Sequence, residues 1–282
     1  MAKKLIRFDW AIKKLLRHKA NFEILEGFLS ELLRFDVTIE SILESEGNKQ
    51  DEYDKYNRVD ILVKSKSNEL MLVEVQNESE VDYFHRMLYG VSRLVTEYIR
   101  EGEPYGKIKK IYSVNIVYFG LGQGEDYVYE YRGEFIGLHK NDTLQPTVLQ
   151  KKDYKVDKIS DIFPKYYLLK VNNFDKVAED TLDEWVYFLK NSEVKEGFKA
   201  KGLDKVKEKL QYENLSEEDK KIYDRYQDNR RIEASVAYTA KQERNMEIAK
   251  NSISAGLSNE IITQITGLTV EQIEELRNAG QK

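Results

Sequence analysis

The sequence predicts an α/β fold, a mixed central sheet flanked by helices, followed by a mainly helical C-terminal region. Three observations predict it. Two helical stripes open the chain. Short β-branched runs then surround one long amphipathic stretch. Beyond Pro164 there is no proline, and the chain becomes strongly charged.

Ile12, Leu15 and Leu16 form one apolar stripe, and Phe22, Leu25, Phe28, Leu29, Leu32 and Leu33 form another at helical spacing. Arg17–Asn21 is the break between these two helices. Glu44–Tyr56 is polar and reads as a loop. Arg58–Lys64 (RVDILVK) and Glu69–Gln76 (ELMLVEVQ) read as strands joined by a turn at Ser65–Asn68. Val81–Arg100 reads as a helix with Phe84, Leu88, Val91, Leu94, Val95 and Tyr98 along one side. Lys110–Phe119 reads as a central strand, and Tyr127–Tyr131 as a further one. Gly120, Gly122 and Gly124 lie between them. The segment after these glycines is strand-like, so they read as a hairpin turn and not as a phosphate-cradling loop. The division expected is a core over residues 1–170, a charged helical extension over 171–255, and a small helix-turn-helix-like segment over 256–282. In that last segment Thr269 and Gln272 make a capping-box pair, Leu268 and Ile273 a hydrophobic staple, and Gly267 a helix stop.

Composition narrows the chemistry. The chain of 282 residues has no cysteine, which excludes disulfides, thiol nucleophiles and Cys-type zinc sites and fits a reducing, cytoplasmic setting. Its three histidines, His18, His85 and His139, are too scattered for a His-rich metal site or a Ser-His-Asp triad. No apolar run is long enough to span a membrane, and the basic N-terminus lacks the apolar stretch of a signal peptide. Asp and Glu number 50 against 45 Lys and Arg, so carboxylates must carry any chemistry, and carboxylates suit Mg²⁺ or Mn²⁺. The net charge of −5 speaks mildly against a nucleic-acid partner. Basic residues nevertheless dominate the first twenty positions, where Asp9 is the lone acid, so a local basic face is open.

The informative stretch runs from Arg58 to Arg93. Glu74 and Gln76 end one strand and share a face, while Val73 and Val75 point the other way. An acidic residue closing an apolar strand needs a partner, because a buried carboxylate is costly alone. Asp60 opens the preceding strand. Pairing Lys64 with Glu69 across a four-residue loop would put Asp60 opposite Val73, on the wrong face for Glu74. An odd loop length, or a bulge at Asp60, would set the two carboxylates side by side, about 5 Å apart at Cβ. They would then repel unless a cation sits between them or one takes a proton. The expectation is a bulge or bend near Asp60. Arg86 and Arg93 lie two helical turns apart on a face that could meet phosphates, with Tyr89 between them.

Asp60 followed by Glu74-Val75-Gln76 resembles the PD-(D/E)XK nuclease superfamily. The wider text is similar to its recombination-promoting nuclease and transposase family. The matching features are Phe8-Asp9 with Ile12-Lys13, Arg58-Val59-Asp60, Glu74-Val75-Gln76, and Arg86 with Tyr89 and Arg93. Ile111–Phe119, Phe163-Pro164-Lys165-Tyr166-Tyr167 and Ile265-Thr266-Gly267-Leu268-Thr269 match as well.

The resemblance implies a PD-(D/E)XK nuclease-like core and a metal-dependent DNA endonuclease of low sequence specificity. Asp60, Glu74 and Gln76 would be its catalytic residues. Asp60 and Glu74 would hold Mg²⁺ (or Mn²⁺), with the Val75 carbonyl as a third donor. Gln76 stands where the superfamily more often has lysine, so positive charge must come from elsewhere, with Arg86 or Lys13 as candidates. Glu23 or Glu26 could add a ligand. Lys13, Arg86, Tyr89 and Arg93 are the candidate contacts to DNA. The last helix is acidic (Glu271, Glu274, Glu275), which favours packing or homo-oligomer formation there over groove reading. The alternative reading is a non-catalytic DNA-binding or interaction protein on the same fold. An RNA-directed nuclease would use the same metal chemistry.

Overall fold

A computed structural model describes residues 4–43, 59–99 and 101–279. The stretch read as the Glu44–Tyr56 loop lies outside the described residues. The chain divides into two compact units, Met1–Asn214 and Leu215–Lys282.

The first unit opens with two helices, α1 (Phe8–Lys14) and α2 (Phe22–Leu33), separated by a short 3-10 turn at Lys19–Asn21. The break sits where the apolar spacing lapses. Among the described residues, six strands follow: β1 (Ile39–Leu43), β2 (Val59–Ser65), β3 (Leu70–Gln76), β4 (Ile111–Val117), β5 (Val128–Glu130) and β6 (Lys165–Lys170). They form one mixed sheet in the order β1-β2-β3-β4-β6-β5. β1, β2 and β3 are antiparallel neighbours, β3, β4 and β6 run parallel, and β5 closes the far edge antiparallel to β6. The expected mixed sheet is present, with β4 central.

Helix α3 (Tyr83–Glu97) crosses from β3 to β4 and lies on one face of the sheet. Its buried side is Tyr83, Met87, Val91 and Leu94, which pack on Leu62, Leu70, Leu72 and Ile111 at one end and on Val117 and Leu168 at the other. Phe84 and Leu88, expected on the buried stripe, are 50% and 57% exposed. They sit one position round from the contact line and instead border an apolar groove with Tyr131 and Phe163.

The opposite face, bearing Ile61, Val63, Met71, Val73, Val75, Val114 and Ile116, is buried beneath the first helices and α5 (Thr181–Asn191), which follows the short α4 (Val148–Tyr154) in the chain. Phe8, Phe28, Trp185 and Phe188 meet there edge-to-face or tilted, with centroids 5.4–6.3 Å apart. Because Trp185 and Phe188 belong to this core, the compact unit holding the sheet continues past residue 170, through α6 (Leu203–Lys209), to Asn214.

Two details depart from the expected topology. β6 inserts between β4 and β5, so the glycines after β4 do not close a hairpin. Gly122 and Gly124 adopt positive φ (62° and 142°) in a longer connection that hands the chain to the sheet edge. β1 and β6 add two strands that the apolar pattern of the sequence does not announce.

The second unit contains α7 (Glu217–Ser254), α8 (Asn259–Thr266) and α9 (Val270–Ala279). Ser216 caps α7 by accepting from Asp219 N at 3.0 Å. Ala249, Ile262, Leu268 and Ile273 form the small core joining all three helices. Gly267 ends α8 with φ 70°. The Thr269–Gln272 capping box forms at both ends, with bonds of 2.9 and 3.3 Å. Among the described residues, no helix is long and apolar enough to cross a membrane.

Candidate active site

The β2–β3 hairpin sets the geometry. Ser65 N donates to Glu69 O at 3.0 Å and Asn68 N to Ser65 O at 2.9 Å, closing a turn over Lys66, Ser67 and Asn68. Asn68 takes the left-handed conformation, φ 66°, which asparagine tolerates better than most residues. This odd-length turn gives the register Lys64↔Leu70, Leu62↔Leu72 and Asp60↔Glu74. Asp60 and Glu74 are therefore direct cross-strand partners on one sheet face. The expected bulge near Asp60 is absent, because the turn already supplies the odd spacing.

The row continues across the sheet. Glu74 is in register with Asn115 of β4, so Asp60, Glu74 and Asn115 follow one another over three strands. Glu74 is 5% exposed and Gln76, two residues further on the same face, 2%. The side chains of Asp60 and Lys13 lie outside the described set.

Buried polar groups demand partners, and those of Glu74 come from α3 and β4. The Tyr83 hydroxyl lies 3.4 Å from Glu74 Oε2 and 3.3 Å from Asn115 Oδ1 and can donate its one proton to either. Asn115 spends its amide N–H groups on Ser113 Oγ (2.9 Å) and the Tyr167 carbonyl (3.2 Å), which turns its oxygen toward Tyr83. The Tyr83 ring is held by Phe119 (5.8 Å, edge-on) and by the Arg86 guanidinium 5.6 Å from its centroid.

A second knot surrounds Gln76. Its Nε2 donates to Glu80 Oε1 at 2.9 Å and to the Glu78 carbonyl at 3.3 Å, and its Oε1 accepts from Arg86 Nη1 at 3.4 Å. Arg86 Nη1 also donates to both Glu80 oxygens, at 2.9 and 3.1 Å. Glu80 thus orients the amide and the guanidinium together, and it partly neutralises the positive charge expected from Arg86. Arg93 follows two turns along α3, half-buried, while Tyr89 is 65% exposed and turned to solvent.

Neither helical glutamate joins the group. Glu26 Oε1 accepts from Ile39 N at 2.7 Å, and Ile39 pairs with Ser65, at the end of β2 away from Asp60. Glu23 is ion-paired with Lys209 at 3.4 Å and Lys205 at 3.9 Å. Among the described residues no group of three or more His, Asp or Glu gathers in metal-binding geometry.

Sequence reasoning missed Glu80, Tyr83 and Asn115 as members of this cluster. Ser113 and Asn115, alternating within the apolar strand Ile111–Val117, were the available signal. Asp9 also gains a structural role. It is 2% exposed, ion-paired with Arg7 at 3.0 Å, and accepts from Asn77 Nδ2 at 3.3 Å, which ties the start of α1 to the end of β3.

Comparison with curated proteins and with solved structures returns no match. A family described as PD-(D/E)XK nuclease family transposase matches residues 6–240, a span that includes the whole sheet, the Asp60–Glu74 pair and most of α7. The chain therefore belongs to the PD-(D/E)XK nuclease family transposases.

Proposed function

We propose that this chain is a divalent-metal-dependent endonuclease that hydrolyses phosphodiester bonds in DNA with low sequence specificity, acting in recombination or on mobile elements. The observation that carries the reading is the cross-strand register of Asp60 with Glu74. Two carboxylates at such positions repel unless a cation is shared or a proton taken up.

Carboxylate oxygens are hard donors of the kind Mg²⁺ and Mn²⁺ prefer. Asp60 and Glu74 would hold the ion, with the Val75 carbonyl as a further donor and water completing the set. When bound, such an ion polarises a phosphoryl oxygen and makes its water a nucleophile near neutral pH. The protein's own part is orientation. Tyr83 stands within reach of one Glu74 oxygen, and Glu80 holds the Gln76 amide with its carbonyl oxygen able to accept from a water. Arg86 supplies positive charge beside Gln76. Arg93, Tyr89 and Lys13 are proposed as contacts to the DNA backbone, which position a duplex without reading sequence.

The test is nicking of supercoiled plasmid by the purified full chain with Mg²⁺ or Mn²⁺, beside Asp60→Ala. Wild type is expected to nick and the variant to lose it. Equal nicking by both, or none by wild type, would overturn the reading. A second reading is supported by Gln76, which carries no charge and is bound to Glu80. On it the chain binds DNA without cutting, and wild type and Asp60→Ala would retain a labelled duplex equally while neither nicks. In either case the C-terminal helices are proposed to pair with a second copy of the chain.

A further inference from the structure

The connection from β5 to β6 carries a built feature that the core does not use. Residues 135–144 form a short finger around an isolated bridge between Ile136 and Thr143. Leu144 N donates to Phe135 O at 2.9 Å, Gly137 N to Asp142 O at 2.8 Å, and Asn141 N to Gly137 O at 2.9 Å. Asn141, at φ 54°, closes the turn. Backbone hydrogen bonds thus hold the finger in one shape, and that shape presents Leu138 at the tip, 96% exposed. At the base Phe135 packs on Phe163, with centroids 5.5 Å apart.

Phe163 is also one wall of the apolar groove beside α3. Phe84, Leu88 and Val95 form the other wall, and Tyr166 and Leu168 of β6 lie in it. The groove holds about 570 Å³, within the range of about 300–1,000 Å³ of ordinary binding clefts, so a leucine and its neighbours fit. Finger and groove therefore lie side by side on the first unit.

A surface that carries both a knob and a hole for it suits a two-fold interface, in which each copy gives its knob and receives the other's. The size agrees. The exposed parts of Phe84, Leu88, Tyr131, Phe135, Leu138 and Phe163 come to on the order of 700 Å², taking about 200 Å² for a whole large side chain. A standard interface covers about 800 Å² per partner. Charge agrees too. The adjoining depression, which shares Tyr131 and Phe163 with the groove, is lined by Arg132, Lys158 and Lys165 against Glu130, Glu134 and Asp161. Arg132 is paired with Glu130 at 2.9 Å and Lys165 with Asp161 at 3.8 Å. Two identical copies meet there without net repulsion, while a phosphate backbone finds no net positive charge.

We infer that the finger of one copy seats Leu138 in the α3 groove of a second copy, reciprocally about a two-fold axis. This surface belongs to the first unit and is distinct from the pairing proposed for the C-terminal helices.

The experiment uses the full chain. Sedimentation velocity at micromolar concentration compares wild type with Leu138→Glu at the tip, Leu88→Lys in the groove, and Val148→Glu on α4 as an exposed apolar control. Leu138→Glu and Leu88→Lys should each halve the assembled mass, and Val148→Glu should leave it unchanged. The replaced side chains are exposed, so thermal unfolding should stay close to wild type. Because the chain has no cysteine, single Leu138→Cys and Leu88→Cys variants can also be mixed and treated with a short bismaleimide. The mixture should give a covalent pair of chains joining the two positions, and neither variant alone should.

A monomeric wild type would overturn the exchange. An assembled wild type whose mass survives both charged variants, with no cross-link from the mixture, would overturn it too and leave the C-terminal helices as the pairing element. Halving by Val148→Glu as well would remove the finger as the specific knob. Loss of a labelled single-stranded oligonucleotide by Leu138→Glu and Leu88→Lys at unchanged mass would assign the groove to nucleic acid instead.

Discussion

The two faces of the central sheet are built from the same strands and obey opposite rules. On one face Ile61, Val63, Met71, Val73, Val75, Val114 and Ile116 are apolar and 0–1% exposed. On the other, under α3, the apolar run of Leu62, Leu70, Leu72 and Ile111 gives way to Glu74, Gln76, Ser113 and Asn115, all buried. The difference teaches where the fold keeps its stability and where it accepts cost. Apolar burial asks only for shape, whereas each buried polar atom needs a named partner to offset its desolvation. The partners come from α3 through Tyr83 and Arg86, from the turn before it through Glu78 and Glu80, and from the sheet itself through Ser113 and the Tyr167 carbonyl. The polar face is therefore organised by a few directional contacts, and the apolar face by many diffuse ones.

The sharpest way to break that contrast is on the apolar side. Trp185 is fully buried against Phe8, Phe28 and Phe188. Trp185→Ala should cost about 3–5 kcal/mol of unfolding free energy, read from urea denaturation. Nicking by whatever fraction stays folded at low temperature should be preserved, because the ring partners of the indole and its hydrogen bond to the Lys201 carbonyl lie outside the site. A loss of nicking from a folded Trp185→Ala protein would show that the two faces are not independent.

A smaller effect is expected on the polar side. Tyr83→Phe keeps the ring and removes the one donor shared by Glu74 and Asn115. Leaving the Asn115 oxygen without that donor should cost about 1–3 kcal/mol. The informative readout is the Mg²⁺ concentration needed for half-maximal nicking. It should shift while the apolar core, followed by tryptophan fluorescence, stays native. An unchanged metal requirement would assign Tyr83 to packing alone.

The smallest effect is a pH dependence at the rims of the sheet. Burial, then the neighbouring Glu130 carboxylate, pushes the Tyr167 hydroxyl up to about 12. Burial and the hydrogen bond to Asp183 push Tyr127 up to about 12 as well. Both phenols are held protonated in the folded state beyond the usual value of about 10. Their contribution is complete below pH 10 and is lost as pH rises from 10 toward 12, since the unfolded chain releases those protons first. Tyr98, Tyr112, Tyr166 and Tyr187 are raised by burial too, so tyrosinate absorbance should show a late-titrating class that includes Tyr127 and Tyr167 in the native protein and normal titration in urea. The comparison would lose this arm if all tyrosines titrated together in the native state.

Much of this was legible in the sequence, for reasons that differ by element. β2 and β3 announce themselves through β-branched runs, and period-2 alternation places Glu74 with Gln76 and away from Val75. The need for an odd spacing also followed from the alternation, but the choice between a longer turn and a bulge is settled by Asn68, whose conformation no pattern reveals. β1 is only five residues with Glu40 and Ser41 among them, and β6 follows Pro164, so neither displays a clean period. The insertion of β6 between β4 and β5 is a long-range pairing that local sequence does not encode. Glu80 and Tyr83 escaped for a related reason. Tyr83 meets Glu74 only because α3 docks on the sheet, and Glu80 reaches back to Gln76 through the turn between β3 and α3, whose path no periodicity reveals.

The turn at Lys66–Asn68 has a consequence for how this molecule can change over generations. It lies six residues before Glu74, roughly 20 Å along an extended strand at about 3.4 Å per residue. Nothing in it touches the carboxylates, yet it is the gauge that decides which residue faces which. A hairpin that slips by one place keeps its apolar contacts in number but exchanges Asp60's partner for a valine. The site can therefore be dismantled from the far end of the strand with every site residue still in the sequence. A descendant that retains Asp60, Glu74 and Gln76 but has a turn of different geometry would carry the residues of the proposed site without their pairing.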